Sequence, residues 1–410
     1  MSGRPLDGVT VIDLTIALAG PYATLLLAGL GATVIKVEGP GGDRSRANPP
    51  YVGRDGLVPR RRHPDDVSVS FLERSRGKQS VTLNLKHPRG REIFADLART
   101  AHVVVENFSP GTADRLGVGF AAVHEVNPRA VYCSITGFGS GGEPGSGKAM
   151  DAIIQALSGA MLTSGEPDDP PVRIGIPLAD LSAPLFAVIG ILAALRQAEA
   201  TGLGQHVDVS MLGSLTALVA AEQSHLAEAL GRPTRTGRFL PRLAPFGVFA
   251  AADGWVAIAA PEDAFARGVL DAIERADLLT DDRFGTRDDR VQNAIELHQL
   301  IEEWTARHST AEAVARLQAN GVPSAPVRSP AEALRDPGLL ARGDLAELRH
   351  PRYGGADGVT GGGLPIHLSH VDTGFSQRVP ELGEDNDSVY RGLLGYDDRL
   401  LTELRKQGVV

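Results

Sequence analysis

GVTVIDLTIALAGPYATLLLAGLGATVIKVE, residues 8–38, decides the fold. Two short runs rich in β-branched residues, 8–14 and 33–38, flank a longer apolar stretch. Pro21 suits the first turn of a helix, and Gly29 to Gly31 suits its end. Strand, helix and strand within about thirty residues form a βαβ unit, whose crossover implies a parallel pair. The same texture continues through SVTLNL (80–85), a helix GREIFADLART after Pro88, the strand AHVVVEN, the loop FSPG and a strand near 130–139. GLGQHVDVSM (202–211) adds another loop and strand, followed by a helix LGSLTALVAAEQSHLAEAL over 212–230. Strands alternating with helices predict a mostly parallel α/β sheet, with ligands at the carboxyl ends of its strands.

Residues 39–70 read as a loop carrying Arg44, Arg46, Arg54 and Arg60 to Arg62. From 248 the texture changes. A strand pair broken at Asp253-Gly254, helices around 264–277, 290–307 and 310–320, and the turn NGVPSAPV predict a small α+β domain over 248–330. Residues 331–410 return with helix, loop and a terminal amphipathic helix, RLLTELRKQ.

Composition narrows the function classes. A chain of 410 residues with 42% hydrophobic and 22% charged residues buries a large core. Its net charge of -9 argues against a nucleic-acid-binding protein, which needs a basic excess. No run reaches the roughly 18 apolar residues of a membrane span, and the N-terminus lacks a secretory pattern, so the expected location is the cytoplasm. Cys133, the single cysteine, lies in the apolar run VYCSI and is expected to be buried and inert. The histidines lack metal-ligand spacing, so no metal is expected.

Four features carry possible chemistry. Glu38 ends the second strand where a ribose-binding acid would sit, but no G-x-G-x-x-G precedes it, which argues against a nicotinamide cofactor. GEPGSGKA (142–149) approaches a P-loop, yet Ala149 replaces the hydroxyl that would hold magnesium; Lys148 is left as a donor to a phosphate or carboxylate, or as part of a solvated turn. Arg76, Lys78, Asn107, Arg115 and Lys148 lie near successive strand ends, where together they suit a long polyanion such as coenzyme A. Finally, IGIPLADLSAPLFAVIGILAALRQ (174–197) places Asp180 at the start of a buried helix, with Ser182 as a plausible N-cap. Asp180 either complements the helix N-terminus or is a partly desolvated nucleophile, and local sequence favours the first.

The motifs GVTVIDLTIALAGPYAT, GKQSVTLNLK, VENFSPGTADRLG, SITGFGSGG, IPLADLSAPLF, NGVPSAPV and VPELGEDNDSVYRGLLGY occur in order along nearly the whole chain. In this the sequence resembles the family III CoA-transferases, whose divergent branch is the α-methylacyl-CoA racemases. The resemblance implies a large Rossmann-like domain (1–220, completed by 330–410), a small α+β domain (225–325) and an interlocked homodimer. It implies that Asp180 is the catalytic aspartate, forming an aspartyl anhydride and then an aspartyl-CoA thioester, with Asp151 bordering the reacting groups. It places Lys78, Arg76, Asn107, Arg115 and Lys148 against CoA, with Lys36 a weaker match. No tightly bound cofactor is implied; acyl-CoA and a carboxylic acid are the substrates. Met150 stands where the racemase branch has a histidine, which favours transfer over the alternative of racemisation. A non-catalytic CoA-binding protein, with Asp180 only a cap, is the alternative of another class.

Overall fold

The computed structural model describes residues 3–141, 148–231, 233–240 and 242–410. The chain divides into two compact units. One comprises Met1–Ser158, Ile174–Ala221 and Leu334–Val410; the other comprises Gly159–Arg173 and Glu222–Ala333.

The first unit is built on six strands: β1 (Thr10–Asp13), β2 (Thr33–Glu38), β3 (Gln79–Thr82), β4 (Val103–Glu106), β5 (Val131–Thr136) and β6 (His206–Ser210). Their order is β3-β2-β1-β4-β5-β6, with every neighbouring pair parallel. This is the doubly wound arrangement, with its switch point between β1 and β4. The run VVV of β4 is buried throughout, as a central parallel strand covered on both faces requires. One core joins Ile12, Val104 and Tyr132 to Phe94 and Leu97, and the chain's last segment returns Tyr390, Leu401 and Leu404 to it. Helix α1 (Ala19–Gly29) follows β1, α2 (Asp151–Leu157) follows β5, and the long α3 (Leu178–Thr201) precedes β6.

Between the carboxyl end of β1, the neighbouring β2 and the amino end of β3 lies a buried polar layer. Lys78 Nζ donates to Asp13 Oδ2 at 3.0 Å, to the Pro21 carbonyl at 2.9 Å and to Thr24 Oγ1 at 2.7 Å. Thr24 donates in turn to Asp13, and Lys36 donates to the Thr15 carbonyl and pairs with Asp43 at 2.8 Å. Glu38 holds Arg46 through two bonds of 2.7 and 2.8 Å and accepts from Ser80. Burial alone would raise the Asp13 carboxyl, but Lys78 and Lys36 outweigh it and hold the group at about 2. Gly20 is required where α1 meets this layer, because a Cβ there would lie 2.3 Å from Thr15 Cβ.

Three elements differ from expectation. Residues 39–70 contain a small antiparallel sheet, Tyr51–Gly53 with Gly56–Val58 and Val67–Ser68. Leu345–His350 and Gly354–Gly362 form a hairpin in the returning segment. The helix expected over 212–230 breaks after Ala221, where Gln223 takes a φ of 59°.

The second unit has an antiparallel sheet of Phe246–Ala251, Gly254–Ala259 and Ser324–Pro326, with helices Asp263–Ala272, Ala294–Thr305 and Thr310–Ala319 closing its core. Gly159–Arg173, assigned by sequence to the large domain, belongs here. Gly237 N donates to the Gly165 carbonyl, and Arg235 holds the carbonyls of Pro167 and Pro170.

Replacing Asp13 by Asn keeps its shape but leaves Lys78 without a buried counter-charge. The expected loss is about 3–5 kcal/mol, read from the urea unfolding midpoint. Because the folded carboxyl titrates below its ordinary 3.8, its contribution is complete above about pH 4 and lost as pH falls toward 2. A variant loss below about 1 kcal/mol would mean the layer is not held by this pair.

Candidate active site

Asp180 lies in the first turn of α3, which begins at Leu178 with Pro177 as the N-cap residue. Pro177 offers no side-chain cap, and Ser182, expected to cap, lies inside the helix. The cap comes instead from α2. Asp151 Oδ1 accepts the Ala179 N–H at 2.9 Å and the Asp180 N–H at 3.4 Å, satisfying two donors that a helix start leaves open. Asp151 Oδ2 accepts from Gln155 Nε2 at 2.8 Å. Gln155 is fully buried; it accepts the Ile174 N–H and donates to the Ile176 carbonyl, so one amide ties α2 to the segment entering α3.

The two carboxylates therefore differ in kind. Both oxygens of Asp151 are engaged, whereas no hydrogen bond reaches the Asp180 carboxylate among the described residues. Burial, and then the charge of Asp151, push the Asp180 carboxyl up to about 6, with Arg74 opposing. Asp180 is thus a half-buried, unoccupied carboxylate that ionises near neutral pH.

The loop after β1 runs from Thr15 to Leu18 with its backbone held on both sides. The Asn107 amide accepts the Ile16 N–H at 2.9 Å and donates to the Ile16 carbonyl at 2.8 Å. Ala17 takes a φ of 67°, an uncommon conformation for a residue with a Cβ. Its N–H points to Asp43 at 3.3 Å, and its carbonyl accepts from Arg74 at 2.9 Å.

The structure divides the expected CoA contacts. Lys78 is corrected to a structural role: it is fully buried, and its three donor positions are filled by Asp13, Pro21 and Thr24. Arg76 is likewise corrected; it is buried, bonded to Gly362 O at 2.7 Å and Glu73, and lies over the Phe375 ring. Asn107 spends its amide on Ile16, and Lys36 is buried with Asp43. Arg115 is exposed and, among the described residues, its side chain bonds Thr112 alone, and Lys148 is exposed. Residues 142–147 of the P-loop-like stretch lie outside the described residues. Glu38, bound to Arg46, has no face left for a ribose. Cys133 is buried, which pushes its thiol up. Among the described residues no group of three or more His, Cys, Asp or Glu is placed to hold a metal.

A crevice of about 460 Å³ opens beyond the carboxyl ends of β1, β2 and β3, walled by Leu14, Ile16, Leu83, Leu85 and Phe108, with Lys86 on its rim. This is where a doubly wound sheet takes its ligand. Sequence reasoning missed Gln155 and Arg74. Gln155 stands four residues from Asp151 on one helix face; Arg74 shares the ERSRGK run in which Arg76 drew the attention.

Comparison with known proteins gives a consistent result. The sequence pattern of CoA-transferase family III matches residues 6–386. The succinyl-CoA:mesaconate CoA-transferase of Haloarcula marismortui is 38% identical over 386 residues, covering 92% of this chain and 94% of its own. The acetyl-CoA:oxalate CoA-transferase of Acetobacter aceti is 38% identical over 388 residues, covering 94% of this chain and 95% of its own. A CAIB/BAIF family protein from Brucella suis has a similar structure, with a TM-score of 0.81 and 34% identity across 96% of this chain and 100% of that one.

Asp151→Asn retains an oxygen to cap α3 but removes the charge facing Asp180. The Asp180 midpoint is expected to fall from about 6 toward the ordinary 3.8, without reaching it because burial persists, as followed by carboxyl-carbon NMR. An unmoved midpoint would show that Asp151 does not act on Asp180 through its charge.

Proposed function

The chain belongs to CoA-transferase family III, and from that membership we propose a reaction course centred on Asp180. The enzyme moves CoA from an acyl-CoA thioester to a free carboxylic acid. The single observation that carries the assignment of Asp180 is its half-buried carboxylate, raised to about 6 and free of hydrogen bonds among the described residues. Such a group is still ionised at neutral pH, yet more basic and less solvated than an ordinary carboxylate, which improves it as a nucleophile.

In this reading an Asp180 oxygen attacks the thioester carbonyl and expels CoA thiolate, giving an aspartyl–acyl anhydride. The thiolate attacks the aspartyl carbonyl of that anhydride and releases the donor acid, leaving an aspartyl-CoA thioester. The acceptor carboxylate then displaces the thiolate to form a second anhydride. Thiolate attack on the acceptor's carbonyl gives the new acyl-CoA and restores Asp180. Each step exchanges one acyl bond for another, so no redox partner or metal enters the balance. Asp151 fixes the start of α3 and sets the field at Asp180. The crevice beyond β1 to β3 receives the nucleotide end of CoA, with Lys86 on its rim and the exposed Arg115 and Lys148 as further cations for its phosphates.

The relatives named for mesaconate and oxalate point to a short dicarboxylic acid as the acceptor class. Racemisation lacks support, because Met150 offers no base before Asp151. The cap-only reading of Asp180 has less support, since the hydrogen bonds that cap α3 come from Asp151.

We further propose that the enzyme is a cytoplasmic homodimer. Helix α3 is long and apolar enough by composition to cross a membrane, but it buries Ala183, Ala187, Ile191 and Ala194 in this unit. Its other face exposes Leu185, Phe186 and Ile189, beside exposed Ile153 and Leu157 of α2. An apolar surface of this kind asks for a protein cover, and a second copy of the chain supplies it. Light scattering after gel filtration is expected to give twice the chain mass, and Ile189→Asp to shift it toward one; a monomeric wild type removes the proposal.

Incubation with acyl-CoAs followed by hydroxylamine or borohydride is expected to change the mass of the peptide carrying Asp180. Asp180→Asn is expected to abolish that change and lower turnover by about 10⁴-fold or more. Turnover without a modified Asp180, or undiminished in the variant, would sink the covalent route.

A further inference from the structure

Gln155 is a fully buried amide on α2 that the reaction course leaves without a task. Its Nε2 donates to Asp151 Oδ2 at 2.8 Å and to the Ile176 carbonyl at 3.1 Å, and its Oε1 accepts the Ile174 N–H at 2.8 Å. These partners fix which way the amide faces. Turned over, it would set its NH2 against the Ile174 N–H and its oxygen against the Asp151 carboxylate and the Ile176 carbonyl. An apolar side chain of similar volume would fill the space but leave the carboxylate and both backbone groups without these partners.

What Gln155 holds are the two supports of the turn that carries Asp180. The chain leaves the first unit after Ser158 and re-enters it at Ile174, shortly before α3 begins at Leu178. Gln155 fastens this entering segment at Ile174 and again at Ile176. On its other side it engages Asp151 Oδ2, which leaves Oδ1 for the Ala179 and Asp180 N–H groups. Helix α3 cannot supply that support from its own residues. Pro177 brings no side-chain cap, and Pro184 has no N–H for the Asp180 carbonyl.

We propose that Gln155 is a positioning residue for the transfer reaction, locking the Asp151 carboxylate and the entering segment against each other and so holding the Asp180 carboxylate in place for attack. The inference rests on the reading of Asp180 as nucleophile and deepens it. Gln155 is enclosed, so it meets no substrate, takes no proton and forms no covalent bond. Its effect is geometric. The last torsion of an aspartate is broad and roughly twofold, so Asp151 released from Gln155 turns away from α3. A nucleophile displaced by about 1 Å loses about 100-fold in rate.

Two variants test this. Gln155→Met keeps the volume and removes all three bonds. Gln155→Glu keeps the shape; its protonated carboxyl donates to Asp151 Oδ2 and accepts from Ile174, whereas its ionised form faces Asp151 as a like charge. With succinyl-CoA as donor, Gln155→Met is expected to lower kcat and the rate of Asp180 labelling about 10- to 100-fold, with KM for the donor within about threefold. For Gln155→Glu, the ratio of variant to wild-type rate is expected to rise as pH falls from about 8 to about 6, because the protonated form restores the bond to Asp151. A merely structural amide gives no such recovery. An unchanged rate in Gln155→Met, a loss carried by KM, or a Gln155→Glu ratio that is level with pH overturns the proposal. Where Gln155→Met fails to fold, the pH dependence of Gln155→Glu decides. An aspartyl adduct in the wild type with unaffected variants refutes Gln155 alone, whereas no adduct in the wild type removes the nucleophile reading and this inference with it.

Discussion

The site depends on a carboxylate that no substrate touches, Asp13, held in the interior between Lys78 and Lys36. Burying charge is expensive, and such a layer is poor evidence for net stability, since apolar residues of equal volume often do as well. What it fixes is position. Asp13 binds Thr24 of α1, Lys78 binds the Pro21 carbonyl, and Lys36 binds the Thr15 carbonyl. The ends of three strands, the first turn of α1 and the loop after β1 thus share one set of hydrogen bonds. The left-handed Ala17 persists because the surroundings over-determine it. A loop held this firmly presents the β1 end of the crevice without a search through conformations.

At the start of α3 opposing effects meet, and their balance decides the chemistry. A helix N-terminus favours a negative charge and would lower the Asp180 carboxyl. Burial, and then the neighbouring Asp151, raise it to about 6 against the opposing charge of Arg74. Pro184 adds a local detail: lacking an N–H, it gives nothing to the Asp180 carbonyl four residues back, so this turn is held less by its own backbone than by Asp151 from outside.

The sheet was legible because parallel strands buried on both faces announce themselves as apolar runs between helical ones. TVIKVE reads as a strand and is one from its first residue to its last. The polar layer was not legible, because sequence tells that Lys78 stands at a strand end but not whether its side chain points to solvent or into the sheet. The resemblance to a family marked Lys78 and Arg76 as contacts, while the structure shows their donors turned inward. The helix start failed for a related reason. Local rules sought the cap beside the helix and found Ser182, but the capping oxygen comes from a residue 28 positions before Ala179. Gly159–Arg173 offered no pattern of its own, since the partners that hold it, the Gly237 N–H and the Arg235 side chain, stand far along the chain.

Family membership supplies the reaction, but it does not by itself tell which of the two neighbouring aspartates keeps the free carboxylate that the proposed nucleophile needs. Hydrogen bonding does. A carboxylate that accepts backbone and amide donors on both oxygens is stabilised as an anion and loses the lone-pair freedom that attack requires. Asp151 is in that state, and its rigidity is what makes it a reliable cap. Asp180 has the opposite surroundings: partial burial, a like charge nearby that Arg74 only partly offsets, and no donor of its own among the described residues. Exchanging the two roles would require moving the cap, the buried Gln155 and the first turn of α3 together, so the division of labour is built into the packing rather than into the chemical identity of either side chain.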